Sequence, residues 1–226
     1  MTNPEARTRG RKMRDAMKLS PILFALAVSI ALGAMSAPAR AQAAGDDVLS
    51  RDAVLRDRDI PDLGNPQGDM TIVEYFDYQC PYCKKAAPEL AQVAKEDGKV
   101  RIVLKDWPIF GPQSAYAAKM ALAAKFQNKY EDAHDALIAA KTKLTEAGVD
   151  DLLAKAGVDV ARATADRDAH GREIDALLAR NDAQARAFGF QGTPAFIIGT
   201  FRVPGSLNAA GFKQAISDAR KAAASK

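Results

Sequence analysis

Strand-type sequence is confined to two regions of this chain, with a long helical stretch between them. The first region holds Met70 to Phe76 and Val100 to Leu104. Both runs are rich in β-branched or aromatic residues, and the first is apolar on both faces except at Glu74, the pattern of interior strands. A helix is expected from Cys80 or Pro81 to about Glu96, kinked at Pro88. A strand, helix, strand unit implies parallel pairing through a right-handed crossover. The second region is Ala195 to Ile198 and Phe201 to Val203, and its Gly199-Thr200 link reads as a tight hairpin. A final helix is expected from about Leu207 to Ala223. Neither half-sheet can bury both faces alone, so the two must join, and the alanine-rich residues 113–188 form a helical insertion. Its segments fall near 113–127, 129–140, 145–156, 159–168 and 172–188, with Thr145 and Asp159 as N-caps.

The N-terminal residues 1–43 read as a cleaved secretion signal. Arg7, Arg9, Arg11, Lys12, Arg14 and Lys18 precede the apolar run Ile22 to Met35, and Ala41-Gln42-Ala43 offers a cleavage site. An uncleaved anchor is the alternative, but the run is shorter than the ~20 apolar residues that span a bilayer. Gly10 separates Arg9 from Arg11, so there is no twin-arginine pair and export would be of the unfolded chain. This segment carries seven of the 32 basic and two of the 28 acidic residues, which leaves 25 against 26, a net charge of −1. The basic character therefore belongs to the signal and gives no support to a nucleic-acid partner. Asp46 to Asp59 reads as a short helix with Leu49, Val54 and Leu55 on one side, followed by the turn-rich Ile60 to Asp69. Residues 44–69 thus form an N-terminal helix and linker, and residues 70–112 with 189–226 form the sheet domain around the insertion.

The chain has two cysteines, Cys80 and Cys83, directly after the first strand. A disulfide between them closes a loop too short to remove much unfolded-state entropy, so a working thiol pair is favoured over a staple. With Cys80 as N-cap, Pro81 occupies the first helical position, where its missing N–H costs nothing. The N–H groups of Tyr82 and Cys83 and the positive end of the helix dipole then favour a Cys80 thiolate. Helix-start cysteines in such motifs have pKa values of ~3.5–7 against about 8.5 unperturbed. Cys80 is accordingly predicted as the exposed nucleophile, and Cys83, one turn in, as the buried resolving thiol of higher pKa. Two other readings are structural cysteines and a metal site. Closed zinc sites need four ligands, and only His134 and His170 remain, both read as helix-surface residues. Copper(I) is better served, since the thiolates of Cys80 and Cys83 suffice for it; no other metal or cofactor is implied.

Val73-Glu74-Tyr75-Phe76-Asp77-Tyr78-Gln79-Cys80-Pro81-Tyr82-Cys83-Lys84 resembles the active-site segment of the DsbA family, especially its exported branch of ScsC-like and Com1-like proteins. Residues 63–69, Lys105-Asp106-Trp107-Pro108-Ile109 and Gly192-Thr193-Pro194-Ala195-Phe196 resemble the same branch in the same order. The resemblance implies an α/β thioredoxin fold with an inserted all-helical domain and a periplasmic thiol-disulfide oxidoreductase acting on exported proteins. It implies that Pro194 is a cis-proline facing the disulfide, with the Thr193 backbone beside it binding substrate. It also implies a charged pair below the cysteines, for which Glu74 and Lys105 are the candidates. Tyr82 departs from the histidine of DsbA itself and removes a cation that would stabilise the thiolate. A milder oxidant, or a reductase or isomerase, is expected, together with a membrane redox partner. The alternative of a copper(I)-binding or copper-stress protein follows from the ScsC-like side of the resemblance. The short stretch between the cleavage site and the first strand favours a monomer over the oligomeric isomerases of the branch.

Overall fold

The computed structural model describes residues 48–225, so the expected signal segment lies outside the described residues. Five strands form one sheet in the order β1-β3-β2-β4-β5. The core pair is β2 (Met70–Phe76) and β3 (Val100–Asp106), parallel and joined by α2 (Pro81–Asp97). The hairpin of β4 (Ala195–Ile198) and β5 (Phe201–Pro204) docks β4 antiparallel on the other side of β2. Flanked on both edges, β2 buries Ile72 through Phe76 on both faces, as its composition predicts.

The strand β1 (Asp62–Gly64) is a correction to the turn-rich reading of residues 60–69. It pairs antiparallel with the outer edge of β3, Leu63 beside Ile102. Three residues with a single apolar side chain carry no period-2 signal, so pattern reading sees only the turns around them. Gly64 is there because the chain turns at φ +72°, and a Cβ would meet the Val100 carbonyl oxygen at 2.6 Å.

Helix α2 starts at Cys80 in extended conformation with Pro81 next, and ends at Gly98, whose positive φ lets its N–H return to the Ala94 oxygen. It runs through Pro88 as one element, with Cys83, Ala86, Leu90, Val93 and Ala94 buried. The insertion comprises α3 (Pro112–Ala124), α4 (Tyr130–Ile138), α5 (Glu146–Lys155), α6 (Val160–Ala169) and α7 (Gly171–Ala187). Thr145 and Asp159 cap α5 and α6 by accepting from the Gly148 and Arg162 amides, each at 3.0 Å. The buried residues of α3 are five alanines with Ser114, Met120 and Leu122, and the small ones allow close helix approach. Helix α7 returns to the sheet, where the Asn181 amide donates to the Asp106 carbonyl at 3.0 Å and Tyr75 donates to Gln184 at 3.0 Å. Sheet and insertion therefore share one continuous apolar core. Helix α8 (Ala209–Ala224), capped by Asn208, packs Phe212 edge-on against Phe196 of β4.

The N-terminal helix α1 (Arg51–Leu55) is shorter than expected, capped by Ser50, with Val54 buried and Leu49 exposed. Among the described residues no helix is long and apolar enough to cross a membrane.

Candidate active site

Strand β2 delivers the chain at Phe76 into a tight turn in which the Cys80 amide donates to the Asp77 carbonyl at 3.0 Å. Helix α2 then starts with its free N–H groups around the Cys80 sulfur. The Cys80 thiol is lowered to about 6, first by the hydrogen bond from Cys83 and then by Thr193 and the Cys83 and Tyr82 amides, against the opposing effect of burial. Cys83 is fully buried, and burial, the hydrogen bond to Cys80 and the charge of Glu74 push its thiol far above the ordinary range.

The wall opposite comes from the loop before β4. The Thr193–Pro194 peptide is cis, as the resemblance implies. The Cys80 thiol donates to the Thr193 carbonyl at 3.2 Å. That bond favours the thiol, whereas the nearby Thr193 hydroxyl, buried and without another partner, favours the thiolate. This wall corrects one expectation: Cys80 is 1% exposed and not an open nucleophile. Between the cysteines Pro81 and Tyr82 are both exposed, Tyr82 at 63%.

Glu74 and Lys105 are both buried, but they do not pair. In the parallel register Tyr75 lies beside Lys105 and Glu74 beside Leu104. Successive strand residues point to opposite faces, so the two charges lie on opposite sides of the sheet. Glu74 faces the α2 side, in a cavity of about 310 Å³ lined by Ala87, Pro88, Ala91, Ile102 and Leu104 among others. One of its oxygens has no hydrogen-bond partner, and burial, with the Cys80 thiolate's charge, pushes its carboxyl up to about 8. Lys105 faces α1 and α7, donating to the Ala53 carbonyl at 2.9 Å and to Asp57 at 3.4 Å. Arg180 completes that cluster on Asp57 at 2.9 and 3.0 Å. Lys105 is thus buried and is not the partner of Glu74.

His134 is a second correction. It is 5% exposed, with its ring against Phe76, Tyr78 and Tyr130, and its Nδ1 lies 3.3 Å from the Tyr78 hydroxyl. Burial lowers its pKa to about 4, so it is neutral. It falls on the apolar stripe of α4, in phase with Tyr130, Ala133, Leu137 and Ile138, so helical spacing signals its burial and only its polar type suggests the surface. Next to it the Tyr130 hydroxyl donates to Asp106 at 3.0 Å, and burial pushes Asp106 up to about 7. His170 stands at the surface, 3.0 Å from Glu173. Among the described residues no group of three or more His, Cys, Asp or Glu is placed to hold a metal ion.

Two features near Cys80 have no signal in the local sequence. Ile109 and Phe110, in the loop between β3 and α3, are 38% and 50% exposed and form an apolar lip. Asp77, a buried carboxylate, bonds to that same loop.

The family described as thioredoxin (Thioredoxin_4) matches residues 58–218. Among solved structures, the chain is similar to a thioredoxin-like oxidoreductase from Silicibacter pomeroyi, at 41% identity and a TM-score of 0.73 over 76% of this chain and 98% of that one. It is similar to the catalytic domain of Proteus mirabilis ScsC at 26% identity and TM-score 0.68, over 74% and 93% of the two chains. The thiol-disulfide exchange protein alpha-DsbA2 of Wolbachia pipientis matches at 27% identity and TM-score 0.68, over 73% and 89%. A curated relative, a Na(+)/H(+) antiporter NhaA 3 of Salinispora tropica, is 29% identical over 69% of this chain, and the match spans 24% of the relative's length.

Proposed function

The chain belongs to the thioredoxin family, and on that premise we propose that it exchanges a Cys80–Cys83 disulfide with cysteines of exported polypeptides. It is a thiol-disulfide exchange enzyme of DsbA-like and ScsC-like architecture. The observation that carries the assignment of Cys80 is its position: an N-cap thiol lowered to about 6, facing the Thr193 carbonyl at 3.2 Å.

In the oxidising direction a substrate thiolate attacks the Cys80 sulfur. The Cys80–Cys83 bond breaks, and its electron pair leaves on Cys83, which takes a proton. The high affinity of Cys83 for a proton supports this role, and Glu74, protonated near neutral pH beneath it, is the donor we assign. The substrate's second thiolate then attacks the substrate sulfur of the mixed disulfide and releases the Cys80 thiolate. Two electrons have passed from substrate to protein. In reverse, reduced Cys80 attacks a substrate disulfide and Cys83 releases it. In the mixed disulfide Cys80 has no proton to donate, which leaves the Thr193 carbonyl to accept from the substrate backbone. Tyr82, Ile109 and Phe110 supply apolar contact for an unfolded chain.

The basic and apolar residues of 1–43 support export, with action in the periplasm as a monomer served by a membrane redox partner. The absence of a cation at Tyr82 supports a milder oxidant than DsbA. Alkylation of the reduced protein against pH tests the central claim. One thiol titrating near 6 is expected, and two thiols titrating above 8 would overturn it.

A further inference from the structure

Asp77 lies three residues before Cys80, is 2% exposed, and gathers four donors on its carboxylate. One oxygen accepts from the Gln79 amide and from the Ser114 hydroxyl, each at 2.7 Å. The other accepts from the amides of Ile109 at 2.7 Å and Phe110 at 3.0 Å. The side chain of Gln79 adds a second tie, donating to Ser114 at 3.2 Å and to the Phe110 carbonyl at 3.4 Å. The ends of the lip are anchored elsewhere, by the Trp107 amide on the Phe76 carbonyl at 2.8 Å and by the Gly111 carbonyl accepting from Ala115 at 3.1 Å. Between those anchors the two lip amides go to Asp77. The backbone carbonyl of the same residue receives the Cys80 amide. One side chain therefore joins the start of the nucleophile's helix to an exposed apolar loop more than thirty residues later.

No lysine or arginine bonds this carboxylate; its partners are backbone amides and a hydroxyl whose positions the chain path fixes. Four such bonds hold a buried charge in a single geometry. An asparagine cannot replace it. If its oxygen faces Ile109 and Phe110, its amide meets the Gln79 N–H, and if it is turned over, two lip N–H groups are left without an acceptor.

We infer that Asp77 is a positioning residue for polypeptide substrates, fixing the Ile109–Phe110 lip at a set distance from Cys80 so that apolar residues flanking a substrate cysteine dock there. This rests on the exchange reading above and adds a substrate class, cysteines in apolar surroundings. The Asp77 backbone reaches Cys83, but its side chain touches neither sulfur nor substrate, so the carboxylate acts on docking and leaves the sulfur chemistry unchanged.

The test uses the full chain, returned to its dithiol after each turnover by an added dithiol reductant whose direct reaction with peptide is subtracted, and two matched disulfide peptides, one with leucines and one with serines beside its cysteines. D77N is expected to raise the apparent KM for the leucine peptide about tenfold with kcat within about twofold, and to leave the serine peptide within about twofold. F110S reproduces this, and the double variant adds nothing further. Amide exchange at Ile109 and Phe110 accelerates at least ~100-fold in D77N. If D77N does not fold, S114A, which removes one of the four donors, is expected to show the same split at about threefold. Equal loss on both peptides, a changed Cys80 alkylation rate, or multiplying D77N and F110S effects would overturn the inference. If the unaltered protein reacts with neither peptide, the exchange reading falls. Amide exchange then decides the clamp separately, and unchanged rates in D77N overturn it.

Discussion

The Cys80 thiol donates to the Thr193 carbonyl at 3.2 Å, across 113 residues of sequence. The nucleophile therefore sits in a cleft whose two sides come from opposite ends of the domain, and its acidity depends on both. Substituting Thr193 by valine removes the hydroxyl that favours the thiolate while keeping the carbonyl. The thiolate absorbance of reduced T193V is expected to titrate at higher pH than in the unaltered protein, with little change in melting temperature.

The largest contribution to the acidity of Cys80 is the hydrogen bond from Cys83. In C83A the Cys80 thiol is expected to titrate above 6, and mixed disulfides with substrate should accumulate because the resolving thiol is gone. Mass spectrometry of the variant after exposure to a disulfide-containing peptide checks both. Rapid release of the peptide would show that a group other than Cys83 resolves the complex.

Stability should peak in the acidic range. Glu74 and Asp106 are raised in the folded state to about 8 and about 7. The unfolded chain loses these protons first, so each group withdraws stability as pH rises from about 4 to its folded value. His134 is lowered to about 4. It withdraws stability in the opposite direction, as pH falls from about 6.5, because the unfolded state takes up the proton that the buried ring refuses. Above about pH 4 the two carboxyls outweigh the single imidazole, so denaturant unfolding against pH is expected to show a maximum near pH 4 and a decline toward neutrality. E74Q should flatten the alkaline side by a few kcal/mol, on the order of one pKa unit per 1.4 kcal/mol. An unchanged alkaline limb in E74Q would contradict the burial of an ionisable Glu74.

Lys105 tests the register. Because it faces Asp57 and Arg180 and not Glu74, K105M is expected to lower stability by about 1–3 kcal/mol, through the loss of its two hydrogen bonds to the Ala53 carbonyl and Asp57. Asp57 retains Arg180 at 2.9 and 3.0 Å, which keeps the loss below that of an orphaned charge. The alkylation profile of Cys80 should not move. A shifted profile in K105M would mean that charge is transmitted through the sheet.

The parallel pair, the hairpin, the caps at Thr145 and Asp159 and the helix start at Cys80 are all legible in the sequence. Each depends on residues within a turn or a strand of one another. What was not legible depends on alternation or on distant partners. Moving one residue along β2 separates Glu74 from Lys105, and a charge-pairing argument based on neighbouring strands does not see the face. His134 is a different case: it shares the helical period of the buried Tyr130, Ala133, Leu137 and Ile138, so its place was legible in the spacing and was obscured by its polarity. Asp77 is prominent beside the cysteines, yet its partners at Ile109, Phe110 and Ser114 lie 32 to 37 residues on. Strand β1 owes its existence to the open edge of β3, with little contribution from its own three residues.

The two outer strands of the sheet bear on a hazard that faces any protein that handles unfolded chains. An open strand edge invites β-addition by whatever extended segment comes near, and such capture leads to aggregates. Here one border is only the three residues of β1, and the other, β5, places the charged Arg202 and ends at Pro204, which lacks an N–H to offer. Both borders are thus poor templates, so an extended chain gains little by pairing away from the Thr193 backbone, where the sulfur is waiting.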